Sequence, residues 1–220
     1  MSDAKYDLAR ANMIEQQIRP WDVLAQSVLD LIAATPREDF VPRGHEHLAF
    51  ADLRLPLDHD QHMMTPKVEA RILQSLELKA SDIVLEIGTG SGYLTACLAK
   101  LTSHVDSVEI HGELSTLAKQ RLETAGISNV DLSIANAIAD WQTDKRYDVI
   151  VFTGSLPSYI DSFESLLSDN GRLFAIVGTA PAMQATLVRK NATGETTTEA
   201  LFETNIPALI GTEEKQDFVF

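Results

Sequence analysis

VLEIGTGSGY, residues 84–93, joins a short, almost wholly apolar run to three glycines at alternate positions. A run of that length and composition suits a strand buried on both faces of a parallel sheet. Glycines directly after it let the chain turn tightly and approach a ligand, and the helix that follows directs its unpaired N–H groups at the same place. The third glycine comes at G-x-G-x-G spacing and Tyr93 follows, so the dinucleotide fingerprint G-x-G-x-x-G is absent. The pattern favours a nucleoside carried without a pyrophosphate.

Downstream, short apolar runs alternate with helical segments. Residues 83–88, 105–110, 130–134, 147–152 and 172–178 read as strands, with helices at about 92–101, 112–125 and 158–168 between them. Gly126 is suited to end the second of these helices, because it adopts positive φ without strain. Two further strands, about 184–190 and 199–206, flank the polar turn NATGETTT. Its Asn191-Ala192-Thr193 has the form of a glycosylation acceptor, but nothing in the sequence implies secretion. The expected fold class is α/β, with a mostly parallel central sheet flanked by helices and an antiparallel C-terminal hairpin.

Open α/β sheets bind ligands at the carboxyl ends of their strands, and two polar residues fall there besides the glycines. Glu109 ends the second strand, where a carboxylate accepts from both hydroxyls of a ribose. Asn136 follows the third, where its amide either reads an adenine edge or caps the next segment.

Upstream of residue 80 the chain reads as helices and loops. Val23, Leu24, Ser27, Val28, Leu31 and Ile32 recur at helical spacing after Pro20 and Trp21, and Pro36 stops that helix. Residues 36–56 carry three prolines and are expected to be extended or turning. Thr65 is expected to cap a helix with Pro66 at its first position and Val68, Ile72, Leu73 and Leu76 facing inward. Just before it, DHDQHMMTP (58–66) crowds two acids and two histidines into five positions. Their spacing matches no helical or closed zinc pattern, so no metal is expected at Asp58, His59, Asp60 and His62. His45 and His47 are expected at the surface.

Bulk properties narrow the function classes. At 220 residues and 45% hydrophobic composition the chain buries a full core, most simply as one compact domain: a helical and lid region (1–79) packed on a core with a C-terminal extension (80–220). A formal charge of -14 opposes a phosphate backbone and speaks against nucleic-acid binding. The single cysteine, Cys97, lies among apolar residues and suggests a reducing compartment. With neither a signal-peptide pattern nor an 18-residue apolar run, a soluble cytoplasmic protein is expected.

VLEIGTGSGY (84–93) and VEI (108–110) resemble the S-adenosylmethionine-binding core of class I methyltransferases, specifically the protein-L-isoaspartate (D-aspartate) O-methyltransferase family. PREDFVP (36–42), AFAD (49–52), LPL (55–57), YDVIVFTGS (147–155), NGRLFAIVG (170–178) and NIPALIG (205–211) follow that family in order, over nearly the whole chain. The resemblance implies a Rossmann-like fold, S-adenosyl-L-methionine as cofactor with S-adenosyl-L-homocysteine as product, and a peptide or protein carboxylate as acceptor. It implies that Glu109 holds the ribose and that Ile110 belongs to the cofactor-binding set. Gln61, Glu86, Ile87, Gly88, Thr89, Gly90, Gly92, Tyr93 and Thr153 would surround the rest of the cofactor, with Asn136 and Ala137 on the adenine side. Asn136 stands where the family usually has an aspartate.

The substrate loop departs from the family pattern L-P-I-G-H-G-Q-T-I-S-Q-P. His59, Gln61 and Pro66 persist, whereas Asp58 and Asp60 replace glycines, His62 a threonine, Met64 a serine and Thr65 a glutamine. Met64 donates no hydrogen bond, and two added acids oppose an anionic substrate, so isoaspartyl methylation is expected to be weak or absent. Carboxylate methylation needs alignment more than a base; a hydroxyl or amine acceptor would need one, and His59 and His62 are the candidates. Three functions follow: carboxyl methylation of isoaspartyl residues, methylation of a different acceptor, including a small molecule, or non-catalytic S-adenosylmethionine binding. A monomer and a homodimer are equally compatible with the sequence.

Overall fold

The computed structural model describes residues 4–212. Its N-terminal part runs from helix α1 (Ala4–Met13) through a π-helical segment (Ile14–Ile18) and a 3-10 turn (Arg19–Trp21) to α2 (Gln26–Ala34). Val28, Leu29, Leu31 and Ile32 face inward, but Leu24 is 67% exposed and Ser27 is also exposed. Leu24 precedes the helix, so the helical period read through it does not apply. The backbone N–H groups of Leu24 and Ala25 donate instead to Gln74 Oε1 at 2.7 and 2.9 Å, a cap supplied across 50 residues.

Residues 36–56 contain two short 3-10 turns, Arg37–Asp39 and Glu46–Leu48, before the two-residue strands β1 (Leu55–Pro56) and β2 (His62–Met63) pair antiparallel. Helix α3 (Pro66–Leu76) follows with Pro66 at its start and Val68, Ile72, Leu73 and Leu76 buried. Thr65 is extended there but makes no side-chain cap, and its buried hydroxyl oxygen has no partner among the described residues.

The alternating part comprises β3 (Ile83–Ile87), α4 (Tyr93–Leu101), β4 (His104–Glu109), α5 (Gly112–Thr124), β5 (Val130–Ile134), β6 (Tyr147–Leu156), β7 (Leu167–Thr179), β8 (Ala182–Lys190) and β9 (Thr196–Thr204). These strands form one sheet of order β5-β4-β3-β6-β7-β8-β9, parallel through β7 and antiparallel across β8 and β9. The α/β class, the parallel core and the C-terminal hairpin thus stand as the sequence indicates. Gly126 has φ 73° just after α5. The expected helix at 158–168 is a 3-10 turn at Asp161–Leu166, and β7 starts at Leu167.

Alternation along β3 divides the core. Val84 joins a cluster that also contains Met13, Ile32, Phe40, Met64, Leu73, Cys97 and Phe174, whereas Leu85 and Ile87 join Val108, Phe152 and Phe163 on the other face. The helical and lid region therefore shares its core with one face of the sheet. Cys97 is fully buried, and burial pushes its thiol up to about 12, which makes it an inert apolar filler.

Candidate active site

A cleft opens at the carboxyl ends of β3, β4, β5 and β6, where strand order reverses between β3 and β6. Gly88, Gly90 and Gly92 all have positive φ, at 97°, 52° and 83°. A Cβ on Gly88 would collide with the Thr153 hydroxyl, which donates to the carbonyls of Ile87 (2.9 Å) and Gly88 (2.7 Å). Thr153, at the end of β6, thereby holds the glycine turn against the neighbouring strand.

Glu109 is 5% exposed, and its two carboxylate oxygens accept from the backbone N–H groups of Gly90 (2.8 Å) and His111 (3.0 Å). Each oxygen keeps a lone pair, so the carboxylate both braces the glycine turn and stays able to accept from a vicinal diol. Ile110, Asn136 and Ala137 line the same wall. Asn136 Oδ1 accepts from the Ile138 N–H at 3.0 Å, so the amide does cap the next segment, and its NH2 remains to donate to a ring nitrogen. The expected alternatives for Asn136 are thus compatible. Apolar walls, a glycine turn and an acidic acceptor fit a nucleoside with a free diol.

Four expected cofactor residues do not line this cleft. Glu86 points to the opposite face of β3, fully buried, where one carboxylate oxygen accepts from Thr95 (2.5 Å) and Ser107 (2.6 Å) hydroxyls and the other has no partner among the described residues. Burial pushes its carboxyl up to about 8. Thr89 shares a 2.6 Å hydrogen bond with Ser107. Gly92, at positive φ, leaves little room for a side chain because Ala118 lies 3.1 Å from where its Cβ would be. Tyr93 is buried with its ring edge against Phe40. These four hold the turn from behind; a strand's alternation sends every second residue away from the ligand side.

The lid is the turn between β1 and β2, closed by Leu57 N–H donating to Gln61 O at 2.7 Å. His59 and Asp60 at its tip have φ 60° and 56°, a region glycine prefers and aspartate tolerates. Asp58, His59 and Asp60 are exposed and do not line the cleft. The expected charge conflict from the two acids therefore lies at the solvent side of the lid. His59 is turned outward onto α5: its ring stacks on His111 at 4.2 Å, and its Nε2 lies 3.2 Å from Glu113. Gln61, His62 and Met64 do line the cleft, as does Arg54. Met64 is held there by its carbonyl, which accepts from Arg37 at 2.6 Å, and Arg37 is in turn buried against Glu69 at 3.1 Å.

Among the described residues, the side chains close enough to share a cation are His104, Asp106 and Asp131, not those of the lid. They lie at the opposite ends of the strands, and Lys145 already contacts Asp106 at 2.7 Å. His47 is exposed and His45 half-buried.

The segment 206–210 closes the cleft, docked on β6 by Ser155 N–H to Pro207 O and Leu209 N–H to Ser155 O, both 2.9 Å. The family resemblance implies a C-terminal extension that frames the cleft, but no individual residue of NIPALIG was expected in its lining. Arg54, Leu57, Val108, Leu114, Gly154 and Leu209 were also missed as lining residues. Leu57, Val108, Gly154 and Leu209 lie within matched stretches and Arg54 and Leu114 close to them, which was their signal; no local period marks a residue that reaches the cleft through the fold.

The sequence pattern of the protein-L-isoaspartate(D-aspartate) O-methyltransferase (PCMT) family matches residues 9–213. A protein-L-isoaspartate O-methyltransferase from Geotalea uraniireducens is 39% identical over 186 residues, covering 84% of this chain and 85% of its own. One from Pelobacter propionicus is 36% identical over 205 residues, covering 93% and 91%. A solved protein-L-isoaspartate O-methyltransferase superposes with a TM-score of 0.78 at 21% identity, over 92% of this chain and 66% of that one. A beta-aspartate methyltransferase (PCMT) from Plasmodium falciparum, solved with S-adenosyl-L-homocysteine, superposes with a TM-score of 0.76 at 17% identity, over 93% and 97%.

Proposed function

The chain belongs to the protein-L-isoaspartate (D-aspartate) O-methyltransferase family, and from that premise we propose that it methylates the free carboxylate of isoaspartyl residues in peptides or proteins. It is an S-adenosylmethionine-dependent methyltransferase by family and fold. The observation that carries the reading is the cleft at the switch point, where Gly88, Gly90 and Glu109 present a nucleoside site beside a lid that ends at Met64.

When bound, S-adenosylmethionine supplies a methyl group that passes to a carboxylate oxygen: a C–O bond forms, the S–C bond breaks with its electron pair on sulfur, and no proton moves. The residues of this chain do the rest by position. Glu109 would hold the ribose hydroxyls and Asn136 the adenine edge, with Ile110 and Ala137 against the ring. Gly88 and Gly90 let the backbone come close, and Gln61 with Leu57 covers the cleft from the lid. Apolar side chains at 206–210 exclude water, which would otherwise compete for the methyl group. The carboxylate is already a competent nucleophile, so neither His59 nor His62 is required to remove a proton.

His62 lies on the cleft wall and His59 does not, which favours His62 as the base if the acceptor is a hydroxyl or an amine. The test is methyl transfer to an isoaspartyl peptide, its aspartyl counterpart and a panel of hydroxyl and amine acceptors, each with cofactor binding measured separately. Transfer to the isoaspartyl peptide alone supports the proposal. Transfer only to another acceptor replaces it, and saturable cofactor binding without any transfer leaves the non-catalytic reading.

A further inference from the structure

We propose that Arg54 is a specificity-determining residue of this enzyme, recognising the carboxylate of the acceptor from across the lid ribbon. The inference rests on the reading of the cleft as a carboxylate methyltransferase site.

The ribbon pairs Leu55 with Met63 and Pro56 with His62, antiparallel. Continued by one residue, the same register sets Arg54 opposite Met64. In an antiparallel pair, opposed residues share a face and successive residues alternate. Leu55 and Met63 are buried in the core, so Arg54 and His62 fall on the other face; both line the cleft, as does Met64, which is itself buried in the core just past the ribbon. The methionine at the family's serine position thus shares the cleft lining with an arginine.

Arg54 is exposed and makes no hydrogen bond or ion pair among the described residues. Its closest acidic neighbour in sequence, Asp52, is taken by Lys67 at 2.5 Å. Glu203 lines an adjoining groove with Arg54, without an ion pair between them. In a chain of net charge -14, an uncommitted arginine at the mouth of a mostly apolar cleft is available to an incoming anion. Met64 offers that anion no donor, whereas Arg54 offers N–H groups to one carboxylate oxygen and leaves the other free to receive the methyl group. Arg54 also borders the groove lined by Trp21, Asp52, Thr65, Lys67, Glu203 and Asn205, so one side chain belongs to both that groove and the cleft.

The experiment compares Arg54, Arg54→Lys and Arg54→Gln in the full chain. Steady-state methylation of an isoaspartyl peptide is measured at saturating S-adenosylmethionine. Alongside it, calorimetry follows binding of the same peptide, and of its carboxamide analogue, to the S-adenosylhomocysteine complex. Arg54→Gln is expected to raise KM at least tenfold and to abolish the preference for carboxylate over carboxamide, with affinity for S-adenosylhomocysteine unchanged. Arg54→Lys should retain part of both. Isoaspartyl methylation with the same KM and the same preference in Arg54→Gln would overturn the role of Arg54 and leave the proposed activity standing. If the native chain does not methylate the peptide, the proposed activity fails instead. Arg54 is then judged on a panel of carboxylic acids and their amides: an acid preference that Arg54→Gln removes upholds it, and no preference overturns it.

Discussion

Glu109 organises the cleft before any ligand arrives, because its carboxylate binds the backbone of the glycine turn and of the α5 start at once. Glu109→Ala should weaken binding of S-adenosylmethionine and its demethylated product by roughly 2 to 3 kcal/mol, the worth of a charge-assisted hydrogen-bond pair. Titration calorimetry on the folded variant checks this, and Glu109→Gln, which keeps one acceptor, should lose less. Met64 poses the complementary question at the substrate side. Met64→Ser places a donor on the cleft wall and should raise kcat/KM for an isoaspartyl peptide about three- to tenfold, at some cost in melting temperature because Met64 is only 8% exposed. No gain would mean that donor loss at this position does not limit the reaction.

The glycine turn and β6 act as one element. Gly88 lacks a side chain because the Thr153 hydroxyl fills the space, and its φ of 97° disfavours any other residue. Gly88→Ala should therefore cost about 2 kcal/mol or more in stability and weaken cofactor binding further. On a Thr153→Ala background the same change should cost less, with only the backbone strain remaining; chemical denaturation of the four proteins gives the coupling. Equal costs on both backgrounds would remove Thr153 from the account. The lid ribbon behaves similarly: two residue pairs fix which lid side chains face the cleft, so the acids at its tip change the substrate side less than their sequence position suggests.

Two buried carboxyls link the whole molecule to pH. Burial pushes Glu86 up to about 8, and it pushes Glu69 up to about 7 despite Arg37 beside it. Both folded-state values exceed the ordinary 4.5, so the folded chain holds protons that the unfolded chain releases. The stabilisation is fully present below about pH 4.5 for these two groups, and it is lost as pH rises through 7 and 8. The melting temperature should fall by several degrees between pH 6 and 9, apart from other titrations. Glu86→Gln, which stays neutral and keeps an acceptor for Thr95 and Ser107, should flatten that fall. An unchanged pH dependence in Glu86→Gln would show that Glu86 is ionised throughout.

The sequence alone determined the strand-helix alternation from residue 82, the glycine turn, Glu109 and the family, because each is written in neighbouring residues: a buried strand needs a continuous apolar run, and a close turn needs glycine. It also located the lid and its departures. What only the tertiary structure decided is direction. Glu86 and Tyr93 sit inside the most legible motif yet face away from the cleft, since strand alternation and helix packing send them to the far side. His59 belongs to the lid but stacks on His111, more than 50 positions along, and Arg54 reaches the cleft only because β1 and β2 pair in one register. The helix expected at 158–168 shortened to a 3-10 turn as pairing with Tyr147 drew Leu167 into β7. Local spacing fixes which residues share an element; the partners that bury one face of that element, and so aim the other, come from distant parts of the chain.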